Sequence, residues 1–266
     1  MKYPITEFYK EEGVINQAEF LKTHPNHLLY AQKLKELNIN TVLYVFTREL
    51  ESLIKNKLEL LYTFITASQQ VPVYIYNKKF LILSHPVGAP MANGIMEELG
   101  CIGITNFFAC GSAGLINHDI DSSNLILVNR AIRDEGSSYK YLKPSVYAYP
   151  DEELTNYMAN YLTNSNLKFI TSTTWTTDAF FRETPKCIEK RKKQGAVCVE
   201  MECSAWCATA KYHGYKFAQL LYTSDALHQE GWKLKTREER ESAKENIIKF
   251  MIKMVISFVK QNKGML

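Results

Sequence analysis

The sequence predicts an α/β fold, because short runs of β-branched and aromatic residues alternate with segments of helical periodicity. The chain has 266 residues, of which 46% are hydrophobic and 23% are charged. A globular chain of this length buries about three quarters of its unfolded surface, so one core is sufficient without disulfides or a structural metal. No repeat or low-complexity linker divides it. We therefore predict a single domain over residues 1–266, with an N-terminal extension over 1–40 and a core over 41–266.

The elements of the N-terminal half follow from local patterns. A polar, helix-prone region at about 17–37 precedes a continuous apolar and β-branched run at 41–46, which predicts a buried strand. Two further runs, 71–76 and 80–84, flank Asn77-Lys78-Lys79 and predict a hairpin. Pro90 is a favourable first residue for a helix, and Gly100 is expected to end it. A strand at 103–110 follows.

The C-terminal half continues the alternation. Strands are predicted at 124–132 and 167–174, with a helix at about 152–162 between them. A strand at 196–199 leads into a helix at about 203–212, and 215–222 forms another buried strand. Thr236 and Glu239 have the spacing of a capping box and predict the start of a last helix. The apolar face of that helix includes Ile247, Met251, Val255, Phe258 and Val259.

Composition excludes several classes of protein. The net charge of +4 is too small for a nucleic-acid or polybasic membrane surface, although it is compatible with a small anionic ligand. No segment approaches the roughly 18 apolar residues of a membrane span, and the N-terminus has no signal-peptide pattern, so we expect a cytoplasmic protein. The six cysteines form no Cys-x-x-Cys pair. We expect them to be reduced, without a metal site, and we interpret Cys203 and Cys207 as buried small residues on one helix face.

Functional groups of open α/β sheets gather beyond the carboxyl ends of the strands. Polar and glycine-containing segments occupy four such places: 86–90, 111–114, 177–182, and 199–202 together with 224–225. Each segment alone favours a structural role. A Gly-Ser-x-Gly sequence is usually a tight turn, paired glutamates form ion pairs at helix starts, and a lone aspartate is most often a cap.

Taken together and in this order, the segments resemble the nucleoside phosphorylase family, which includes purine nucleoside and uridine phosphorylases and related nucleosidases. The resemblance extends from about 42 to 259 and is carried by Gly88-Ala89-Pro90, Gly111-Ser112-Ala113-Gly114, Thr177-Asp178-Ala179-Phe180, Val199-Glu200-Met201-Glu202 and Ser224-Asp225. It implies a three-layer α/β/α domain with a central mixed sheet. It also implies a homo-oligomer, a trimer or hexamer, that acts on a nucleoside with inorganic phosphate as co-substrate and no other cofactor.

The resemblance assigns the ribose site. Glu202 matches the family carboxylate that accepts hydrogen bonds from both ribose hydroxyls, a geometry suited to a two-oxygen acceptor. Glu200 and the backbone at Met201 would line the same pocket, and Val87 would lie near the sugar.

The base site follows from the same resemblance. Phe180 matches an aromatic residue that packs against the base, and Arg182 or Glu183 on the same loop would contact its polar edge. Asp225, with Ser224 beside it, matches the general acid that protonates a departing purine at N7. Uridine phosphorylases generally lack this carboxylate, so its presence favours a purine nucleoside.

The phosphate site departs from the family pattern. Gly111 and Ser112 would offer backbone N–H groups and a hydroxyl to the nucleophile, as an anion nest does. The family arginine two residues before the glycine is replaced by Ala109. A second arginine normally follows a Gly-Asp-Pro turn, and here only Arg48 lies nearby, out of register. Arg48, Arg133 or an arginine of a neighbouring subunit would have to substitute.

Three hypotheses remain at this point. The first is a phosphorylase acting on a purine nucleoside, or alternatively on uridine. The second is a nucleosidase that uses water, although no water-activating glutamate is identifiable. The third is a nucleoside-binding relative with reduced activity. We rank them in this order because a protein that only binds needs no acid for the leaving group.

Overall fold

The computed structural model describes residues 4–228 and 231–263, so the first three residues of the N-terminus discussed above lie outside the described residues. The strands are β1 (Thr41–Val45), β2 (Leu58–Ile65), β3 (Gln70–Tyr76), β4 (Phe80–Ser84), β5 (Asn106–Leu115), β6 (Leu125–Asp134), β7 (Tyr147–Ala148), β8 (Phe169–Thr177), β9 (Ala196–Glu200), β10 (Lys216–His228) and β11 (Gly231–Leu234). The α-helices are α1 (Gln17–Thr23), α2 (Asn26–Glu36), α3 (Leu50–Leu53), α4 (Ala89–Cys101), α5 (Glu152–Asn164), α6 (Pro185–Lys193), α7 (Cys203–His213) and α8 (Arg237–Lys263).

The strands form one mixed sheet in the order β2-β3-β4-β1-β5-β9-β8-β6-β10-β11, and β7 pairs with β6. Pairing is parallel between β1 and both β4 and β5, and antiparallel in the β3–β4 hairpin and the β10–β11 hairpin. Strand β10 pairs with β6 and also with β5. Because of this double pairing, β5, β9, β8, β6 and β10 close into a ring, and the remaining strands extend from it as an open sheet.

Helices cover both faces of the sheet, which confirms the predicted three-layer α/β/α architecture. One buried cluster joins α4 and α7 to the sheet, including Met96 and Trp206. A second cluster joins α5 and α8 to the other face, including Met158 and Met251. Trp206 is fully buried. Such apolar burial, worth about 25 cal/mol per Å², is the main force that fixes the layers.

The N-terminal extension packs against the core. Gln17 Nε2 donates to the Tyr215 hydroxyl at 2.6 Å, and His27 Nε2 lies 3.0 Å from Glu98 Oε1 on α4. The helix-prone region of the sequence forms two helices, α1 and α2, with Pro25 at the boundary. The division at residue 40 stays a prediction.

Local signals account for several element ends. The predicted capping box forms, because Thr236 N donates to Glu239 Oε2 at 2.8 Å and Glu239 N donates to Thr236 Oγ1 at 3.2 Å. Gly100 does not end its helix, which runs on to Cys101. A Cβ at Gly100 would collide with the Tyr215 side chain, so close packing explains this glycine.

The sequence missed two strands at the ends of the sheet. Strand β2 lies at the edge, has an irregular burial pattern and contains a bulge between Leu60 and Tyr62, so it lacks simple alternation. Strand β11 is exposed throughout its length. In both cases pairing with a neighbouring strand, rather than a local hydrophobic pattern, determines the structure.

Candidate active site

The predicted site residues converge on one cavity of about 390 Å³ at the junction of β1, β5, β9 and β10. Ten of the residues named from the sequence line it: Val87, Gly111, Ser112, Phe180, Glu183, Glu200, Met201, Glu202, Ser224 and Asp225. They come from distant parts of the chain, and the crossing strands bring their ends together. The structure therefore gathers both proposed carboxylates, Glu202 and Asp225, around one volume.

The cavity opens where the sheet divides. Strand β5 pairs with β1 as far as Ala109, and with β9 from Gly114 onward, so this edge of β5 has no strand partner over residues 110–113. On its other edge, Gly111 and Ser112 pair with Leu221 and Tyr222 of β10. This corrects the expected tight turn and anion nest, because both residues lie in an extended strand. The divided edge, rather than a turn, exposes this part of β5 to the cavity.

Gly111 is required for the close approach of Phe46, which follows β1. A Cβ at this glycine would lie 2.9 Å from Phe46 Cδ2. The aromatic ring thus closes one wall of the cavity directly against the backbone of β5.

Glu200 is a buried anchor for the start of α7. Its Oε1 accepts from Thr176 Oγ1 at 2.6 Å, and its Oε2 accepts from the backbone N–H groups of Glu202 and Cys203, each at 2.7 Å. A carboxylate at a helix N-terminus is stabilised by these orphan amides and by the helix dipole. With both oxygens engaged, Glu200 fixes the backbone that presents Glu202.

Glu202 is only 5% exposed, and its Oε1 accepts from Gly88 N–H at 2.6 Å. Gly88 has φ of 110°, a conformation that L side chains rarely adopt, and this explains the glycine before α4. Burial, reinforced by the negative charge of Glu200, raises the pKa of Glu202 to about 8. Near neutral pH this carboxyl is therefore ready to lose a proton when hydrogen-bond donors approach it.

The raised pKa of Glu202 predicts a pH-dependent stability. The folded chain holds this proton up to about pH 8, whereas the unfolded chain releases it near the ordinary value of 4.5. The free energy of unfolding should therefore fall as pH rises through this window and level off above it. We expect Glu202→Gln to raise Tm by about 5 °C, on the order of 2 kcal/mol, at about pH 9 and to leave it nearly unchanged at about pH 5. Calorimetry at the two pH values would measure this, and equal shifts would contradict it.

Asp225 also lines the cavity. Ser224 Oγ donates to its Oδ1 at 2.6 Å, and Trp232 Nε1 donates to its Oδ2 at 2.6 Å. The Trp232 ring also meets Phe180 edge to face, with ring centroids 5.9 Å apart. The β10–β11 hairpin thus brings a second aromatic ring to the predicted base side of the cavity.

Glu183 lines the same cavity, next to Asp225. Burial, followed by the negative charge of Asp225, raises the pKa of Glu183 to about 7. Its carboxyl group therefore holds a proton for part of the time near neutral pH.

The arginines named from the sequence are not at the cavity. Arg48 and Arg182 are exposed and do not line it, so both assignments stay predictions. Arg133 is committed elsewhere, since its guanidinium donates to Ser138 Oγ at 2.8 Å and to the carbonyl of Lys143 at 2.8 Å. These three residues were chosen from their positions along the chain, which do not reveal where the side chains lie.

His85 is buried, as expected, but only half of its hydrogen-bonding capacity is satisfied. Its Nδ1 lies 2.5 Å from the Pro86 carbonyl oxygen, whereas Nε2 has no partner among the described residues. Burial lowers the pKa of His85 to about 3, so the ring is neutral.

Sequence reasoning missed Gln219, Trp232 and Arg240, all of which line the cavity. Gln219 lies inside a buried strand and Arg240 near the start of a long helix, where an isolated polar residue gives no functional signal. Trp232 belongs to the unpredicted strand β11. Only the three-dimensional pairing of β10 with its neighbours brings them to the site.

Within residues 4–228 and 231–263, no cluster of three or more His, Cys, Asp or Glu side chains is arranged to hold a metal ion. Cys203 and Cys207 are buried, with their sulfur atoms 4.0 Å apart. No helix in the same described ranges combines the length and the apolar character needed to cross a membrane.

A family model described as the phosphorylase superfamily matches residues 46–260. The chain belongs to the phosphorylase superfamily. The match includes every predicted site residue named above, and it begins after the N-terminal extension.

Proteins similar to this chain differ in the reaction named for them. Guanosine phosphorylase from Halorubrum lacusprofundi is 24% identical over 135 residues, which is 51% of this chain and 56% of that protein. The chain thus spans little more than half the length of that relative. Purine nucleoside phosphorylase from Toxoplasma gondii, solved with immucillin-H, has a TM-score of 0.71 at 16% identity, over 83% of this chain and 91% of that one. AMP nucleosidase from Bacteroides thetaiotaomicron has a TM-score of 0.65 at 16% identity, over 90% and 99% of the two chains.

Proposed function

We propose that the protein is a nucleoside phosphorylase that cleaves the N-glycosidic bond of a purine nucleoside with inorganic phosphate. The products are the free base and ribose 1-phosphate. The observation that carries this proposal is the placement of Glu202 and Asp225 around one cavity of about 390 Å³. That volume falls in the range of small-molecule sites.

The ribose lies against Glu202 in this proposal. Its two hydroxyl groups donate to the carboxylate, which Gly88 N–H holds in place. As the glycosidic bond breaks, positive charge develops on the sugar, and a carboxylate nearby stabilises it. Met201 and Val87 line the same part of the cavity. Donation from ribose also favours the ionised form of Glu202, which offsets the effect of burial.

The base packs against the edge-to-face pair Phe180 and Trp232 and lies next to Asp225. The departing purine takes up negative charge, which protonation at N7 neutralises. We assign delivery of this proton to Asp225, with the Glu183 carboxyl beside it, whose pKa is raised to about 7, as the group that supplies the proton. Ser224 and Trp232 orient the Asp225 carboxylate by hydrogen bonding.

A nucleosidase is the second candidate. Ala109 occupies the position of a family phosphate ligand, and the AMP nucleosidase fold covers 90% of this chain. Water would then attack the sugar, and no phosphate ligand would be needed. We prefer phosphorolysis because no glutamate that would activate the water is identifiable in the sequence.

We further propose that the protein needs no cofactor besides phosphate and acts in the cytoplasm as a homo-oligomer, a trimer or hexamer. Exposed apolar side chains near the cavity support subunit contacts close to the site, since Phe181 is 93% exposed and Val87 is 61% exposed.

A nucleoside panel tests the substrate class. Purified protein is incubated with inosine, guanosine, adenosine, 5′-methylthioadenosine and uridine, each with phosphate, and the free base is quantified. We expect release of a purine base at least about tenfold faster than uracil, because only a purine can use the acid at N7. Equal or faster release of uracil would contradict the purine assignment, and no release from any nucleoside despite binding would favour a nucleoside-binding protein.

A further inference from the structure

The cavity has an unusual charge balance. Its lining contains four carboxyl groups, those of Glu183, Glu200, Glu202 and Asp225, and one positively charged side chain, that of Arg240. Arg240 lies in the first turns of α8, fifteen residues after Asp225 and directly after the capping box formed by Thr236 and Glu239. Arg240 is therefore the one cationic side chain in the described lining that can bind an oxyanion. The other lining groups are carboxyl groups or neutral.

Arg240 has an unsatisfied donor in the described structure. Its Nε is buried and has no hydrogen-bond partner within residues 4–228 and 231–263, although the side chain as a whole is half-buried. A buried donor without an acceptor is costly, because it loses its hydration and gains no hydrogen bond in return. Such a group is consistent with a ligand that supplies the missing acceptor.

Arg240 and Ser112 line the same cavity. Tyr222 is the register partner of Ser112 on the neighbouring strand. The charges of Arg240 and of Glu241 both act on the Tyr222 phenol, which places the start of α8 near this part of β10.

Gln219 provides an independent observation. It is 1% exposed, lines the cavity, and its Oε1 has no hydrogen-bond partner among the described residues. It is in register with Ala109 on the parallel neighbouring strand, so the two side chains share a face of the sheet. The amide oxygen and nitrogen can exchange places by rotation, so Gln219 can donate from the position next to the missing arginine.

We propose that Arg240, Gln219 and Ser112 form the binding subsite for inorganic phosphate. Arg240 supplies the guanidinium that the family arginine provides at the position occupied here by Ala109. The guanidinium fork donates to two phosphate oxygens, and the amide and hydroxyl donate to others. This inference rests on the proposed phosphorolysis, but it concerns phosphate binding and is measured separately from turnover. The cation therefore comes from helix α8, whereas the family arginine would come from strand β5, which carries Ala109.

The test compares Arg240→Met, Arg240→Lys and the matched control Arg237→Met. Arg237 lies on the same helix, is exposed and does not line the cavity. Phosphate affinity is measured by calorimetric titration of inorganic phosphate, and the KM for phosphate is measured with the purine nucleoside that the protein turns over. We expect Arg240→Met to weaken phosphate at least about tenfold, Arg240→Lys to recover part of the loss, and Arg237→Met to stay within about twofold. Unchanged nucleoside affinity and circular dichroism show that the variants are folded.

The outcomes separate this inference from the proposed function. Phosphate binding that depends on Arg240 supports the subsite even if no base is released. Phosphate-dependent turnover with the same phosphate KM in Arg240→Met overturns the subsite and leaves the phosphorylase intact. Absence of phosphate binding by the unmodified protein overturns the subsite, and so does an equal loss in Arg237→Met. If Arg240→Met does not fold, Gln219→Leu is expected to raise the phosphate KM several-fold, and an unchanged value overturns the subsite.

Discussion

Glu202→Gln is expected to lower kcat/KM for the purine nucleoside by about 10²- to 10³-fold. The amide keeps one acceptor for Gly88 N–H but replaces a charge-assisted acceptor of the ribose hydroxyls, a contact worth about 1.5–3 kcal/mol. It also removes the negative charge beside the developing positive charge of the sugar. Steady-state kinetics would measure the effect, since a contact that strengthens in the transition state lowers kcat as well as kcat/KM.

The matched control for this prediction is Glu238→Gln, at an exposed glutamate of α8 outside the cavity. We expect its kcat/KM to stay within about twofold, as is usual for a surface substitution. A Glu202→Gln variant that retains kcat/KM to within a similar factor would contradict the ribose assignment.

Asp225→Asn is expected to lower purine turnover by about 10²- to 10⁴-fold, the usual range for loss of a general acid. Asparagine keeps the size of the side chain and still accepts from Ser224 or Trp232, so the effect reports on the proton. Single-turnover measurement of base release from inosine would isolate the chemical step.

A substrate whose base leaves without protonation provides the control for Asp225. The base of 7-methylguanosine already carries a positive charge, so no acid is needed at N7. We expect Asp225→Asn to cleave 7-methylguanosine nearly as fast as the unmodified protein does, while inosine turnover collapses. Equal losses on both substrates would assign Asp225 to structure rather than to proton transfer.

Much of the fold follows from the sequence, because most strands and helices here bury one continuous apolar pattern. The runs that became β1, β4 and β9 are mostly apolar and are buried, apart from the half-buried Ser84 at the end of β4. The capping box before α8 is a local signal and forms as expected. Strand β2 was missed because its edge position and bulge remove the alternation that identifies a strand. The ring closure by β10 depends on distant pairings, which no local pattern contains.

The candidate site was partly predictable, for a different reason. Glu202 and Asp225 occur in short motifs whose positions relative to a strand are the same in proteins of this fold. The arginine that would bind the nucleophile belongs to no such motif, so the sequence did not identify it. Arg48 and Arg182 stand close to motif residues in the sequence but are exposed, whereas Arg240 enters the cavity from a helix fifteen residues beyond Asp225. Only packing of α8 against the sheet reveals that placement.

The most direct measurement of the central claim is the phosphate dependence of base release, with the sugar product identified. Inosine, or another purine nucleoside that the panel shows to be a substrate, is incubated with and without inorganic phosphate, and sugar phosphate is followed by phosphorus NMR. The account predicts that base release requires phosphate and that one ribose 1-phosphate forms for each base. Base release at the same rate without phosphate, with free ribose as the product, would contradict phosphorolysis and identify the protein as a nucleosidase.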